Sequence, residues 1–400
     1  MVQFSDARSS TPEFRVPRVY LVLAFAAFIL IGANDGALGV LIPSMRTFYR
    51  VDNATISWLF LTTALGYLGA TFNNGILMEQ LGTRRFLLLS MAIFLLSTGL
   101  LSLHLPFAFF LCSGTLLGFG VGMIDAGLNA YVASLPNNTT LLNYLHAFYG
   151  AGALLGPLLA SGLLAWHAGW QTIYLAWLCL AFIILSGLWL AFKPQVQPTQ
   201  PSSSGRSDHI LFETLRRRTV WLAALFILFY AGVEVGLGNW GYSFLTVARS
   251  GPLLFSAWVI SGYWCGLTLG RLTLANLAPC FGIRRLVVLC LTGVALGLLS
   301  AWLIPTFWGV AFGLCVVGFA EGPLFPTIIA LMPQLVPARL LAGAIGFLAS
   351  SATVGVAFLL WVAGNLIQRL GFSSLLPFAL VLTAGMSGTW LVLNREPAQK

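Results

Sequence analysis

Eleven acidic residues occur in a chain of 400, and four of them, Asp35, Asp125, Glu234 and Glu321, stand inside long apolar runs. A charged side chain at mid-bilayer costs about 2.5–3.5 kcal/mol, so such residues face a bundle interior or a wet cavity and mark a solute or ion path. No lysine or arginine is expected at their depth, because Arg271, the nearest candidate, falls toward the cytoplasmic end of its predicted helix. Carboxylates without a counter-ion must be protonated, hydrated or ligand-bound, and a low dielectric favours the proton. The chemistry this points to is proton exchange and solute binding. The alternative is that one or more of these acids only bond to neighbouring groups such as Asn34, Asn129 or Ser and Thr hydroxyls.

The neighbours of the acids share their faces. Gly118, Gly122, Asp125 and Asn129 recur at three- and four-residue spacing, which lines them along one side of a helix. Glu234, Gly238 and Gly241 do the same on another, followed by Asn239 and Trp240. Trp240 either stacks on a sugar ring or flat ligand or packs as an ordinary core or interface tryptophan. His146, ahead of Tyr149, suits a packing or gate position near the cytoplasmic edge. The string GILMEQLGTRR supplies Gly75 and Gly82 for a tight turn, with Glu79, Arg84 and Arg85 to pair across a cytoplasmic gate. In GAGALLGPLLASG, Gly152, Gly156 and Pro157 allow close helix contact and a bend.

These residues require a membrane scaffold. The chain is 58% hydrophobic and 8% charged, against about 25% charged for a soluble domain. Runs of the ~20 apolar residues that cross a bilayer recur throughout. They predict helices over 19–42, 54–78, 86–104, 106–134, 143–165, 171–192, 220–247, 254–276, 286–304, 306–333, 339–367 and 372–393. The first is too long for a signal-peptide core and reads as a retained helix. The domain reading is an N-terminal segment 1–18, a six-helix bundle 19–192, a linker 193–219, a second bundle 220–393 and a tail 394–400. The linker opens with PQVQPTQPSSSG, of flexible composition, and closes with DHILFETLRRR, which fits a short helix lying on an anionic leaflet.

With both termini cytoplasmic, sixteen of the twenty Lys and Arg residues lie inside, leaving Arg46, Arg50, Arg249 and Arg369 outside. That bias accounts for the net charge of +9 without nucleic acid, for which no basic stripe interleaved with aromatics exists. The six cysteines have no CxxC or metal-type spacing. HExxH, GxSxG and P-loop strings are absent, which argues against an enzyme.

The halves echo each other in Gly118-Phe119 and Gly318-Phe319, and in GANDGALG and AGVEVGLGNWG. Duplicated halves are what alternating access between two bundles uses. The GILMEQLGTRR loop, with Glu79 where Asp is usual, and GALLGP resemble signatures of the major facilitator superfamily; the matching LANLAPCFGIRR is degenerate at Ala275 and Pro279. Gly120, Gly122, Asp125 and Asn129, Asn34-Asp35 upstream of Pro43, and GPLFPTIIALMP are similar to its fucose–proton symporter and glucose/galactose transporter branch.

The resemblance implies an all-α membrane protein with twelve transmembrane helices in two pseudo-symmetric bundles. It further implies that Asp35 and Asp125 serve sugar recognition and proton coupling. The expectation is a monomeric multi-pass carrier of the cell membrane taking a small solute with protons, without cofactor or metal. The runner-up is a proton-antiport exporter of amphipathic compounds, which the 13% aromatic content would suit.

Overall fold

The computed structural model describes residues 18–135, 138–191, 212–274 and 282–395. The N-terminal segment, most of the linker with Ile210 and Leu211, Ala275, Pro279 and most of the tail lie outside the described residues. Ninety per cent of the structure is helix, with no strand among the described residues.

The first half comprises α1 (Arg18–Tyr49), α2 (Asn53–Ile56), α3 (Trp58–Leu101), α4 (Phe107–Ala133), α5 (Asn138–Ala165) and α6 (Gln171–Ala191). The second comprises α7 (Arg218–Ser243), α8 (Leu253–Thr273), α9 (Ile283–Leu303), α10 (Phe307–Glu321), α11 (Leu324–Leu335), α12 (Ala338–Leu370) and α13 (Leu375–Leu393). A single π turn, Phe244–Ala248, extends α7.

Two boundaries differ from the sequence expectation. The predicted helices 54–78 and 86–104 are joined in one stretch, α3, of 44 residues. At 1.5 Å per residue that stretch is about 65 Å long, roughly twice the hydrocarbon thickness. It folds back at Gly82, whose φ of +69° suits a residue without Cβ. Two crossings are therefore made where the sequence placed two. Conversely the predicted helix 306–333 is divided at Gly322–Pro323 into α10 and α11, because proline can neither donate to the helix ladder nor clear the preceding turn. The eleven apolar helical stretches among the described residues thus give twelve crossings once α3 is counted as two.

Small residues set the packing, since in lipid no hydrophobic force draws helices together and close backbone contact must do it. Along α1 and α5 the glycines alternate: Gly32 faces the Tyr149 carbonyl, Gly36 that of Ala153, Gly152 that of Ile29 and Gly156 that of Ala33. The two backbones touch over two turns, which sets Asp35 beside Tyr149. Between α3 and α4, Gly66 lies on the Thr115 carbonyl and Gly118 on that of Thr63. Between α8 and α10, Gly266 lies on the Cys315 carbonyl and Gly318 on that of Tyr263. Each member of the second set is the first plus 200 in number, so the duplication survives as a constant register. Gly282, with φ +79°, stands in the same relation to Gly82.

The halves meet along α1 with α7, α5 with α8, and α2 and α3 with α12. At the end that bears Arg50 and Arg369, the Asn53 backbone and side-chain N–H groups both donate to Gln368 Oε1, at 3.0 and 3.3 Å. Trp58 and Trp361 are edge to face there, with centroids 6.1 Å apart, and Gly364 is pressed on the Ser57 hydroxyl. The molecule is closed at this end.

Candidate functional site

A cavity of about 270 Å³ lies between the halves. The first half presents Asn34, Asp35, Thr63, Tyr67 and Tyr149 to it, and the second presents Asn239, Trp264 and Thr353. Apolar surface fills the remainder, including Leu38, Phe60, Val121, Val235 and Val356. Pockets for drug-sized ligands run to about 300–1,000 Å³, so this one suits a small solute.

Each acid in the first half is held by a tyrosine from the facing helix. Tyr149 donates to Asp35 Oδ2 at 2.8 Å while Asn34 Nδ2 donates to Oδ1 at 3.2 Å. Tyr67 donates to Asp125 Oδ2 at 2.6 Å, and Asn129 Nδ2 donates to Asp125 Oδ1 at 2.8 Å and to its backbone carbonyl at 2.9 Å. Every carboxylate oxygen of this pair therefore has a donor. Neither acid is in an ion pair among the described residues. Asp35 lines the cavity directly, whereas Asp125 and Asn129 stand behind Tyr67.

The second half is built differently. The expectation that no cation reaches the acids is corrected: Arg271 Nη2 is 2.8 Å from Glu234 Oε1, although it occupies the last turn of α8. Arginine is long, and here it lies back along its helix so that the guanidinium enters the core. Its Nε donates to the Gly322 carbonyl at 3.2 Å and Nη2 to the Tyr230 hydroxyl at 3.3 Å. That carbonyl has no helical donor four residues on, because Pro326 carries no N–H. Arg271 nevertheless keeps 38% of its side chain accessible.

Glu321 is fully buried and does not line the cavity. Its Oε2 is 2.6 Å from the Tyr263 hydroxyl. On the 200-residue register Tyr263 matches Thr63 and Glu321 matches Val121, so this tyrosine–acid pair sits one turn, about 6 Å, along from Tyr67 and Asp125.

Asn239 lines the cavity with its Nδ2 bonded to the Val235 carbonyl at 3.0 Å and its Oδ1 unpartnered. Trp240 is corrected as a ligand platform: it is wholly buried, donates from Nε1 to the Leu360 carbonyl at 3.2 Å and meets Phe60 edge to face. The helix turns this face into the closed end, away from the cavity. Trp264 is the tryptophan that lines the cavity, set against Gly238. His146 is exposed on α5 with its ring edge to face on Phe28.

The loop residues lie away from the cavity. Gly82 makes the turn, and Arg84 Nη2 donates to the Trp189 carbonyl of α6 at 3.0 Å, a tie within its own half. Arg85 is exposed, Glu79 interacts with a neighbouring group, and a Cβ on Gly75 would meet nothing within 4 Å.

The sequence reading did not foresee Tyr67, Tyr149 and Tyr263 as partners of the acids, Tyr230 as a partner of Arg271, or Trp264 on the cavity wall. A signal was available: Tyr67 and Asp125 are 58 apart, as are Tyr263 and Glu321, and both tyrosines directly follow a glycine.

Two related helical bundles with a part-polar cavity between them are the architecture of a membrane transporter. The chain belongs to the Major Facilitator Superfamily, whose family model matches residues 24–257 and 242–400. Among curated relatives, "Bypass of stop codon protein 6" of Saccharomyces cerevisiae is 24% identical over 93% of this chain and 82% of its own length. The "Glucose/mannose transporter GlcP" of Bacillus subtilis is 21% identical over 63% of this chain and 64% of its own. Among solved structures, a mutant of the nucleoside transporter NupG superposes with TM-score 0.79 at 15% identity, covering 94% of this chain and 99% of that one. The transporter FucP in its outward conformation gives 0.66 at 17%, over 95% and 99%. At those identities the likeness shows the fold alone.

Proposed function

We propose that this protein is a proton-coupled symporter of a monosaccharide or similar small polar solute, a multi-pass protein of the cell membrane with both termini cytoplasmic. The observation that carries the reading is that Asp35 and Asp125 are paired with tyrosine and asparagine and, among the described residues, are in no salt bridge to Lys or Arg. A carboxylate so placed can exchange a proton without breaking a salt bridge, and Asp35 does so at the cavity wall. Asn34 and Asn239 offer the donors and acceptors that hydroxyl-rich solutes require, and Trp264 offers an apolar face for a ring. The relative named as a glucose/mannose transporter supports the substrate class.

The mechanism is alternating access. Closed at the Asn53–Gln368 end, the halves rock about the cavity, and solute and proton bind to one conformation and leave from the other. Sixteen of twenty basic residues on the side of the termini support the orientation.

A second reading, an exporter of amphipathic compounds by proton antiport, is favoured by the apolar share of the lining, Phe60, Leu38 and Val356 among it. Proteoliposome uptake separates the two. Under the first reading, a proton gradient drives accumulation of labelled hexose, and Asp125→Asn or Asp35→Asn abolishes accumulation while exchange of solute continues. Equal uptake with and without the gradient overturns proton coupling, and accumulation that persists in both Asp35→Asn and Asp125→Asn overturns the role of these acids.

A further inference from the structure

The Tyr263 hydroxyl lies 2.6 Å from Glu321 Oε2 and 2.9 Å from the Glu234 backbone carbonyl oxygen. Both distances are those of hydrogen bonds. A phenol has one proton to donate, and a carbonyl oxygen has none. If Tyr263 gives its proton to the Glu234 carbonyl, the 2.6 Å contact needs a proton from Glu321. If instead it gives its proton to Glu321, two oxygen lone pairs face each other at 2.9 Å within the core. A single O–H shared between the two oxygens would serve each of them weakly, whereas a proton on the carboxyl group gives each contact its own hydrogen.

The remaining surroundings agree. Glu321 is 0% exposed and its Oε1 has no hydrogen-bond partner, whereas both oxygens of Asp35 and of Asp125 receive donors. A bare, buried carboxylate oxygen costs far more than a bare carbonyl oxygen of a neutral acid. The charged groups near Glu321 are already engaged: Arg271 on α8 is held by Glu234 and Tyr230 on α7 and by the Gly322 carbonyl. On its other side α9 offers Gly293 against Ala320.

We propose that Glu321 carries a proton in this conformation and forms a second proton site, in the C-terminal half, separate from Asp35 and Asp125. The carboxyl O–H donates to Tyr263 and Tyr263 donates to the Glu234 carbonyl, so the proton links α7, α8 and α10. On release the proton passes to water admitted as the helices separate, leaving a carboxylate one residue from the carbonyl that Arg271 holds. That charge competes with Glu234 for the same guanidinium. Proton loss at Glu321 is thereby tied to a shift of α8 against the break between α10 and α11.

Infrared difference spectroscopy of the full-length protein in lipid tests this independently of the first-half acids when done on the Asp35→Asn/Asp125→Asn double variant. The expected result is a carboxylic-acid C=O band, shifted in heavy water, that is lost on adding Glu321→Gln, with one proton fewer taken up per molecule. A band that survives Glu321→Gln, or no band in the double variant, overturns the proposal. Should Glu321→Gln not fold, Tyr263→Phe serves instead: loss of the acceptor is expected to move the band to higher frequency, and an unmoved band overturns the assignment.

Discussion

At the scale of single residues, Glu234 stands apart from the other acids of the membrane core. Glu234 is neutralised by Arg271 at 2.8 Å, whereas Asp35 and Asp125 have only neutral donors. Removing one member of a wholly buried ion pair costs about 3–5 kcal/mol because the other is left uncompensated. With 38% of the Arg271 side chain exposed, Arg271→Met is expected to cost less, roughly 2 kcal/mol, read as a lower midpoint in thermal unfolding of the purified protein. Adding Glu234→Gln to that variant should recover part of the loss, since the charge that had been stranded is gone. Purely additive destabilisation would show that the pair does not interact. The acids themselves were legible in the sequence because carboxylates inside apolar runs are costly and therefore conspicuous. Arg271 was misplaced because a sequence position gives the Cα and not the reach of the side chain. The tyrosines were overlooked because they are common in apolar helices and only the facing helix gives them a partner.

At the scale of elements, the helices were legible from hydropathy, and what escaped was where a ladder breaks without leaving the membrane. Pro323 interrupts the crossing that the apolar pattern continues through, and Gly82 turns the chain inside what hydrogen bonding alone joins as one helix. Helix contact was legible only in part: the glycine-rich strings announced close approach, but not which carbonyl each glycine would meet. That detail makes a graded prediction. A methyl group on Gly66 or Gly118 would strike backbone of the partner helix, and the same holds at Gly318 in the repeat. Backbone cannot yield as a side chain can, so Gly66→Ala and Gly318→Ala are expected to cost about 1–3 kcal/mol or more. A methyl group on Gly75 would enter open space, and Gly75→Ala is expected to be neutral or to add up to about 1 kcal/mol of helix preference. Size-exclusion yield and melting temperature of the three variants, compared side by side, check the order; a Gly75→Ala loss equal to that of Gly66→Ala would refute the packing argument.

At the scale of the whole molecule, the contacts between halves are concentrated where a conformational change must undo them. Gly364 on α12 presses on Ser57, whose hydroxyl bonds back to the Asn53 carbonyl, and Asn53 in turn holds Gln368. This knot closes one end of the cavity with small polar side chains and a single glycine, each contributing about 1 kcal/mol. Such a seal suits a carrier that must open it in every cycle, because two conformations within a few kcal/mol of each other are both visited. A methyl group at position 364 cannot coexist with Ser57 as placed, and it penalises the closed end without touching the cavity lining. Gly364→Ala is therefore expected to shift the population toward the conformation open at that end. Spin labels at Trp58 and Trp361, whose rings are 6.1 Å apart here, would report it as a longer distance distribution in Gly364→Ala than in the same labelled parent. Adding Ser57→Ala should shorten it again in part, because the hydroxyl oxygen is the atom struck hardest, while Ser57 Cβ and Trp240 stay close. Unchanged distances in Gly364→Ala would mean that the closed end is held elsewhere along α1 and α7, where Gly39 meets the carbonyls of Gly238 and Asn239.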